Sequence, residues 1–339
     1  MKAEIKNFVK FFTFFLVVAG MLFYLNKVFF YYDKSVWSTD HRVEKYQELP
    51  ENSVDVLFIG SSNLMSSVNP VQLWKETGIQ SYAYCSRAQT FGFAYAYLQD
   101  ALKTQNPECV VMDAYSVFSE KIINDLSNTD FHFGINMDNL SAGAKTELLM
   151  NHVSKQEWLA YYFPLFKNHN YFKQWENPID ETEAIFMGYC FADSKEWFEK
   201  PEYSDICGTL EEVDNLYLQK IIDLCESEGI DLFVIKTPVV YSDEEHQRLN
   251  TLKQRCEAND VPFYDMSMDT EEWGFDFAED MLNYFHNNTS GAVKVTSRLG
   301  EIINENYDFS NSETKQYSDV WAAEYERMAE YRLRISTEK

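Results

Sequence analysis

The sequence predicts an α/β protein: a three-layer α/β/α domain built on a doubly wound parallel sheet, behind one N-terminal transmembrane helix. Three observations carry this. Short runs of Val, Leu, Phe and Ile alternate with longer runs of helical periodicity, the pattern of βα units whose sheet is covered on both faces. The strand-like runs are nearly unbroken in apolar character, as buried parallel strands are. The first 32 residues are of different material from the rest. The divisions expected are a cytoplasmic stub and signal-anchor (1–32), a polar connector (33–50), the α/β domain (51–307) with a largely helical insert (116–209), and a tail with a helix (308–339).

FFTFFLVVAGMLFYL (11–25) carries no charge and follows Lys2, Lys6 and Lys10. With VFFYY (28–32) beyond Asn26 and Lys27 it reaches the ~20 residues of a bilayer span. Bulky residues follow where a cleavage site would need small ones, so the segment is an uncleaved anchor. The expectation is one long helix over 8–32 with few contacts to the rest. The positive charges on its two sides nearly balance. A short N-terminal anchor ahead of a long soluble portion places that portion on the extracytoplasmic face of the membrane.

Within the domain, VDVLFI (54–59) is the first strand, followed by a helix from about Pro70. SYAYC (81–85) precedes the amphipathic GFAYAYLQDALKT, and ECVVMDAY (108–115) is a third strand. After the aromatic-rich insert comes a helix over 210–228 stopped by Gly229. IDLFVIKTP (230–238) is a strand ended by proline. The next helix opens on Ser242 with Glu245 three residues on, a capping box. VPFYDM (261–266) is a short strand, 290–307 the closing helix, and DVWAAEYERMAEYRLR a final helix packed back on the domain.

Composition narrows the function. The 339 residues are 45% hydrophobic and 16% aromatic, enough to bury a sizeable core. A formal net charge of −25 excludes a nucleic-acid partner, whose phosphates need an excess of Lys and Arg. Six cysteines lie scattered without C-x-x-C or zinc spacing, so they are free core thiols. No metal motif occurs and no cofactor is implied. Two overlapping sequons, Asn287-Asn288-Thr289 and Asn288-Thr289-Ser290, are coincidental.

The first strand ends in FIGSSNLMSSVNP (58–70). Gly-Ser-Ser at a strand end suits a turn and a helix cap. It also puts a hydroxyl at the carboxyl edge, where open α/β sheets bind ligands. Acyl-transfer chemistry at that hydroxyl needs a histidine base. Of six histidines, His41, His132, His152 and His169 have no special context, and His246 lies in a charged helix that solvates it. His286 sits in DMLNYFHNNTSGA, after the last strand and before the closing helix, on the loop that returns to the same edge.

This ordered set resembles the SGNH (GDSL-like) hydrolase superfamily. It is most similar to the membrane-anchored bacterial branch associated with membrane-bound O-acyltransferases. G-S-S at 60–62, AYCSRAQT (83–90), PECVVMDAY, IKTP (235–238), His286-x-Asn288 and the tail carry the resemblance across nearly the whole soluble part. It implies Ser62 as nucleophile, with its N–H as one oxyanion donor, and His286 as base. A backbone N–H around Cys85 and Ser86 would complete the oxyanion hole, and Gln89 would line the site. Three departures stand out. The first block is usually Gly-Asp-Ser, and here Ser61 replaces the Asp. The third-block Gly-x-Asn-Asp is absent, because the third strand ends Asp113-Ala114-Tyr115. The acid expected three residues before the histidine is Asn283. Asp280 is the substitute if the loop folds back, with Asp276 a weaker one.

The expected function is thus a serine esterase or O-acyl (acetyl) transferase on a cell-surface or exported glycan, partnered by the membrane and by a membrane-bound O-acyltransferase. The competing expectation is a catalytically impaired, membrane-tethered scaffold or binding protein of the same fold.

Overall fold

The computed structural model describes residues 2–30, 32–117, 129–168, 180–310 and 312–338. Five strands make one parallel sheet: β1 (Val56–Ile59), β2 (Ser81–Ala83), β3 (Cys109–Asp113), β6 (Asp231–Lys236) and β7 (Phe263–Asp265), in the order β2-β1-β3-β6-β7. Two small antiparallel pairs complete the inventory among the described residues. These are β4 (Ile185–Phe186) with β5 (Tyr189–Cys190), and β8 (Met281–Asn283) with β9 (His286–Asn287). Neither pair is visible as an alternating pattern, since two or three residues are too few to show one. The three central strands are buried almost throughout: β1 and β3 at every position, and β6 everywhere except Asp231, with Asp113 and Lys236 as the buried charged residues at their carboxyl ends.

The chain starts at β1, steps outward to β2, then crosses back past β1 to β3. That reversal is a topological switch point, and it opens a crevice at the carboxyl ends of β1 and β3. Helices Pro70–Thr77, Thr289–Asn306 and Ser318–Glu338 pack together in one layer, and Phe91–Ala101 packs with Glu212–Glu228 in another. Caps mark the ends as the sequence indicated. Gly229 adopts φ +70 at its helix end, and Ser242 with Glu245 forms a complete capping box. Trp321 is buried and donates Nε1–H to Ser81 O at 3.0 Å, fastening the final helix to the β2 edge.

Three expectations are refined by the structure. The polar connector is folded. It contains a helix, Thr39–Gln47, and buries Arg42, whose guanidinium donates to the carbonyls of Gly188, Ser38 and Val36. A polar composition concealed it because this buried polar group is satisfied by backbone. His246 is buried rather than solvated, stacked flat on Tyr203 at 4.1 Å beside the Lys236 ammonium. Its helix does carry a charged face, but His246 is on the inner one.

The third concerns the N-terminal helix, expected over 8–32, which runs from Lys2 to Val28 and leaves Phe29, Phe30 and Tyr32 beyond its end. Among the described residues it is the one helix long and apolar enough to cross a membrane or serve as a signal sequence. Its last turn is not free: Asn26 Oδ1 accepts the Leu165 N–H at 3.2 Å, and helix Pro164–Asn168 packs against it. All six cysteines are free, five of them buried and Cys207 exposed.

Candidate active site

Gly60 leaves β1 with its Cα pressed onto Asp113, at the end of β3. A side chain at position 60 would overlap the Asp113 Cβ, so only glycine lets the two strand ends approach this closely. Asp113 uses that proximity. Its Oδ2 accepts from Ser61 Oγ (2.7 Å) and Ser61 N–H (3.2 Å), and its Oδ1 from Tyr115 N–H (3.0 Å). Burial pushes this carboxyl up to about 6, against those three hydrogen bonds. Ser61 caps the short helix Ser62–Ser67 by accepting from Asn63 N–H, and every residue of that helix except Ser62 is buried. Asp113 therefore orients Ser61, and Ser61 presents Ser62 to the crevice.

His286 meets Ser62 there. Its Nε2 lies 2.9 Å from Ser62 Oγ, and its Nδ1 lies 2.9 Å from Asn283 Oδ1. The Phe285 N–H also points at that Asn283 atom, at 3.0 Å. A donor aimed at the amide identifies the facing atom as oxygen, so Nδ1 must carry the hydrogen and Nε2 its lone pair. This is the tautomer that can take a proton from the serine. Asp280 does not serve here. Its Oδ1 accepts from Ser290 Oγ, and its Oδ2 from Lys294 Nζ (2.6 Å) and Asp276 N–H (2.7 Å). A fully buried carboxylate takes the ammonium that neutralises it rather than turning to an imidazole. Asp276 is occupied too, its Oδ1 accepting the Ala278 N–H.

Two cross-links clamp the histidine loop to the helix Ser62–Ser67. Asn63 Nδ2 donates to Phe285 O at 3.0 Å, and Ser67 Oγ donates to Asn287 Oδ1 at 2.7 Å. Thr237, at the end of β6, donates to Asn63 Oδ1 and sets that amide's orientation.

The stretch after β2 behaves differently from expectation. The Tyr84 and Ser86 N–H groups donate to Phe58 O and Gly60 O, prolonging the β2–β1 ladder. The Ser86 amide is thus engaged with Gly60 O. Cys85 is buried, its thiol on Phe58 O and pushed well above its ordinary pKa by burial. Gln89 is fully buried, with Nε2 on Ser86 Oγ at 3.2 Å. The neighbouring Ala88 holds φ +45, a left-handed conformation rarely taken by alanine and often found at functional sites. Of the amides at the start of the helix Ser62–Ser67, Ser61 donates to Asp113 and Asn63 to Ser61. The Ser62 N–H makes no hydrogen bond among the described residues, and an amide of this kind can support an oxyanion.

Two residues of the site carried no sequence signal. Trp37, from the connector, stands over His286 with ring centroids 4.6 Å apart. Arg87 holds it there. Its Nε donates to Trp37 O at 3.3 Å, and its Nη2 binds Asp33 (3.1 Å) and the Ser35 hydroxyl. Burial first, and the Arg87 charge second, lower the His286 pKa to about 4. His169, and the side chains of His132 and His152, lie outside the described residues.

No family profile matches the sequence, and no curated protein is similar to it. Solved structures similar to the chain include three of one kind. A candidate lipolytic protein of the G-D-S-L family from Desulfitobacterium hafniense is 10% identical, covers 73% of this chain and 98% of its own, and has TM-score 0.40. A candidate acylhydrolase from Bacteroides fragilis is 13% identical over 78% of this chain and 94% of its own, with TM-score 0.38. A GDSL-like lipase from Bacteroides thetaiotaomicron is 10% identical over 80% of this chain and 100% of its own, with TM-score 0.39.

Proposed function

We propose that the chain is a serine hydrolase of the SGNH type, an esterase or O-acyltransferase that works on a glycan from a membrane anchor. One observation carries the reading: the continuous hydrogen-bonded line Ser62–His286–Asn283, at 2.9 Å for each step. Ser62 Oγ attacks the acyl carbonyl as its proton passes to His286 Nε2, and the Ser62 N–H supports the oxyanion. Collapse breaks the ester bond, and the imidazolium returns the proton to the leaving oxygen. Water or a second sugar hydroxyl then attacks the acyl-serine, giving hydrolysis or transfer.

Treatment of the full chain in detergent with a fluorophosphonate probe tests this. A single adduct at Ser62, lost in Ser62→Ala together with acetyl-ester hydrolysis, is expected. No adduct and no turnover in the wild type would establish the scaffold alternative instead. Adding a sugar acceptor then separates transfer from hydrolysis.

The lowered His286 pKa gives a second expectation. Only the neutral imidazole accepts the serine proton, so kcat/KM stays level down to about pH 5 and halves near pH 4. Trp37→Ala admits water to the ring, eases the desolvation that lowers the pKa, and moves this acid limb upward. A limb unmoved by Trp37→Ala would show that the indole contributes nothing to the burial of His286.

The glycan part of the reading is supported by an aromatic rim beside His286. Tyr284 and Phe285 are exposed, Tyr284 rests on Phe198 at 4.5 Å, and neighbouring Trp197 is exposed. Exposed rings next to a nucleophile suit the apolar faces of sugars. With stacking of about 0.5–1.5 kcal/mol, Tyr284→Ala raises KM for an acylated oligosaccharide roughly two- to tenfold. It leaves KM for a small acetyl ester unchanged. An equal rise for both substrates would remove the glycan assignment.

A further inference from the structure

We propose that the helical pair Trp158–Tyr162 and Pro164–Asn168 is a second membrane contact, lying in the lipid–water interface beside the end of the N-terminal span. This rests on reading Lys2–Val28 as a bilayer anchor; the occupant of the surface is the bilayer itself.

The pair is continuous with the span. Helix Pro164–Asn168 packs on the last turn of Lys2–Val28, with the Leu165 N–H bound to the Asn26 side chain at 3.2 Å. Leu25, Asn26 and Val28 are consequently part-covered, whereas the residues from Glu4 to Val17 are exposed all round. Lipid that surrounds the span therefore meets the pair at the same level.

Its surface has two sides. Tyr161 is buried, and Trp158 packs on the core with its Nε1–H on Val153 O, which is the domain side. Leu159, Phe163 and Phe166 are exposed on the other, with the two phenyl rings 6.1 Å apart. From Trp158 to Phe166 the sequence WLAYYFPLF contains no charge, in a chain whose net charge is −25. A carboxylate there would be repelled by anionic headgroups and would resist burial among acyl chains. Exposed Leu and Phe side chains with no charge among them are the kind that enter the boundary between headgroups and acyl chains.

The span also needs such a neighbour. Its uncharged stretch, Phe11–Asn26, is 16 residues, about 24 Å of helix against a hydrocarbon core of about 30 Å. A short span thins the bilayer around its ends, and apolar side chains at that level then lie against acyl chains.

The test uses the full chain reconstituted into phosphatidylcholine vesicles that carry a diazirine in the lipid acyl chain, at a lipid-to-protein ratio that isolates single chains. After irradiation, peptide mapping is expected to find lipid adducts on the span and on Leu159, Phe163 and Phe166. Met268, exposed and apolar but remote in sequence from both, stays unlabelled. Leu159→Gln with Phe166→Gln lowers the adduct yield on 158–168 severalfold and leaves that on the span. Adducts on the span alone would overturn the interface, as would equal labelling of Met268. Absence of adducts from residues 4–28 would overturn the anchor reading and the interface with it.

Discussion

Asn283→Asp raises ester turnover, by at least tenfold and at most on the scale of ~10⁴ that separates Asp from Asn in serine-protease triads. Asn283 already fixes the tautomer of His286 by accepting its Nδ1–H at 2.9 Å. What an amide cannot do is stabilise the imidazolium formed when Ser62 attacks. A carboxylate at the same position supplies that charge, and Asp280 cannot, because Lys294 and Ser290 hold it. The variant has a second signature in its pH profile. An anion beside the ring raises the His286 pKa, so the acid limb moves from about pH 4 towards neutrality. Faster turnover with the limb displaced supports a catalytic dyad limited by imidazolium formation. Unchanged turnover with the limb displaced would show that proton transfer does not limit the reaction. Asp280→Asn, in contrast, leaves the Lys294 ammonium unpaired in part-buried surroundings and lowers stability rather than turnover per folded molecule.

Gly60→Ala abolishes activity to the limit of detection or lowers it by more than about 10²-fold. The added methyl group falls on the Asp113 side chain, with the Asp113 Oδ2 and Cγ only 3.1 and 3.2 Å away. Overpacking of this kind costs about 1–3 kcal/mol, and here the strain has one outlet, the separation of the ends of β1 and β3. That movement breaks the Asp113–Ser61 bonds that aim Ser62, and a displacement of about 1 Å can cost ~10² in rate. Fluorophosphonate labelling rate, measured alongside thermal unfolding, separates a misaimed nucleophile from an unfolded one. Gly60→Ala with wild-type labelling would show that the close approach is not required.

How far the sequence speaks depends on the range of the interaction. The five sheet strands were legible because parallel burial leaves a local mark, as in VLFI and CVVMD. Ser62 and His286 were legible for a related reason: each sits where a strand or a helix must turn, and the topology then brings the turns to one edge. Asn283 on the imidazole follows from the resemblance, which places the orienting side chain three residues before the histidine. Trp37 and Arg87 were not legible. Their contacts join residues 37, 87 and 286, and nothing local in VWSTD distinguishes a tryptophan over an imidazole from one in any core. The direction of the Ser86 amide was equally hidden. It depends on how far the β2–β1 ladder continues past Ala83, a matter of register rather than residue type. His246 shows the converse error, since a helix rich in charge still has an inner face.

The clamp between the helix Ser62–Ser67 and the histidine loop bears on when the proposed site assembles. Asn63 and Phe285 are 222 positions apart in the chain, and Ser67 and Asn287 are 220 apart. Contacts of such long range are the slow ones to form, because the intervening chain must be ordered before they repay its entropy. Ser62 is made early during synthesis and His286 late, so no nascent or truncated chain ending before the last strand pair can contain a working site. The first and last parts of the domain close on each other like a clasp, and assembly of the Ser62–His286 pair becomes a report that everything between them has folded. Stopped refolding should therefore show sheet structure before fluorophosphonate reactivity, with the lag set by docking of residues 281–306 rather than by formation of the sheet.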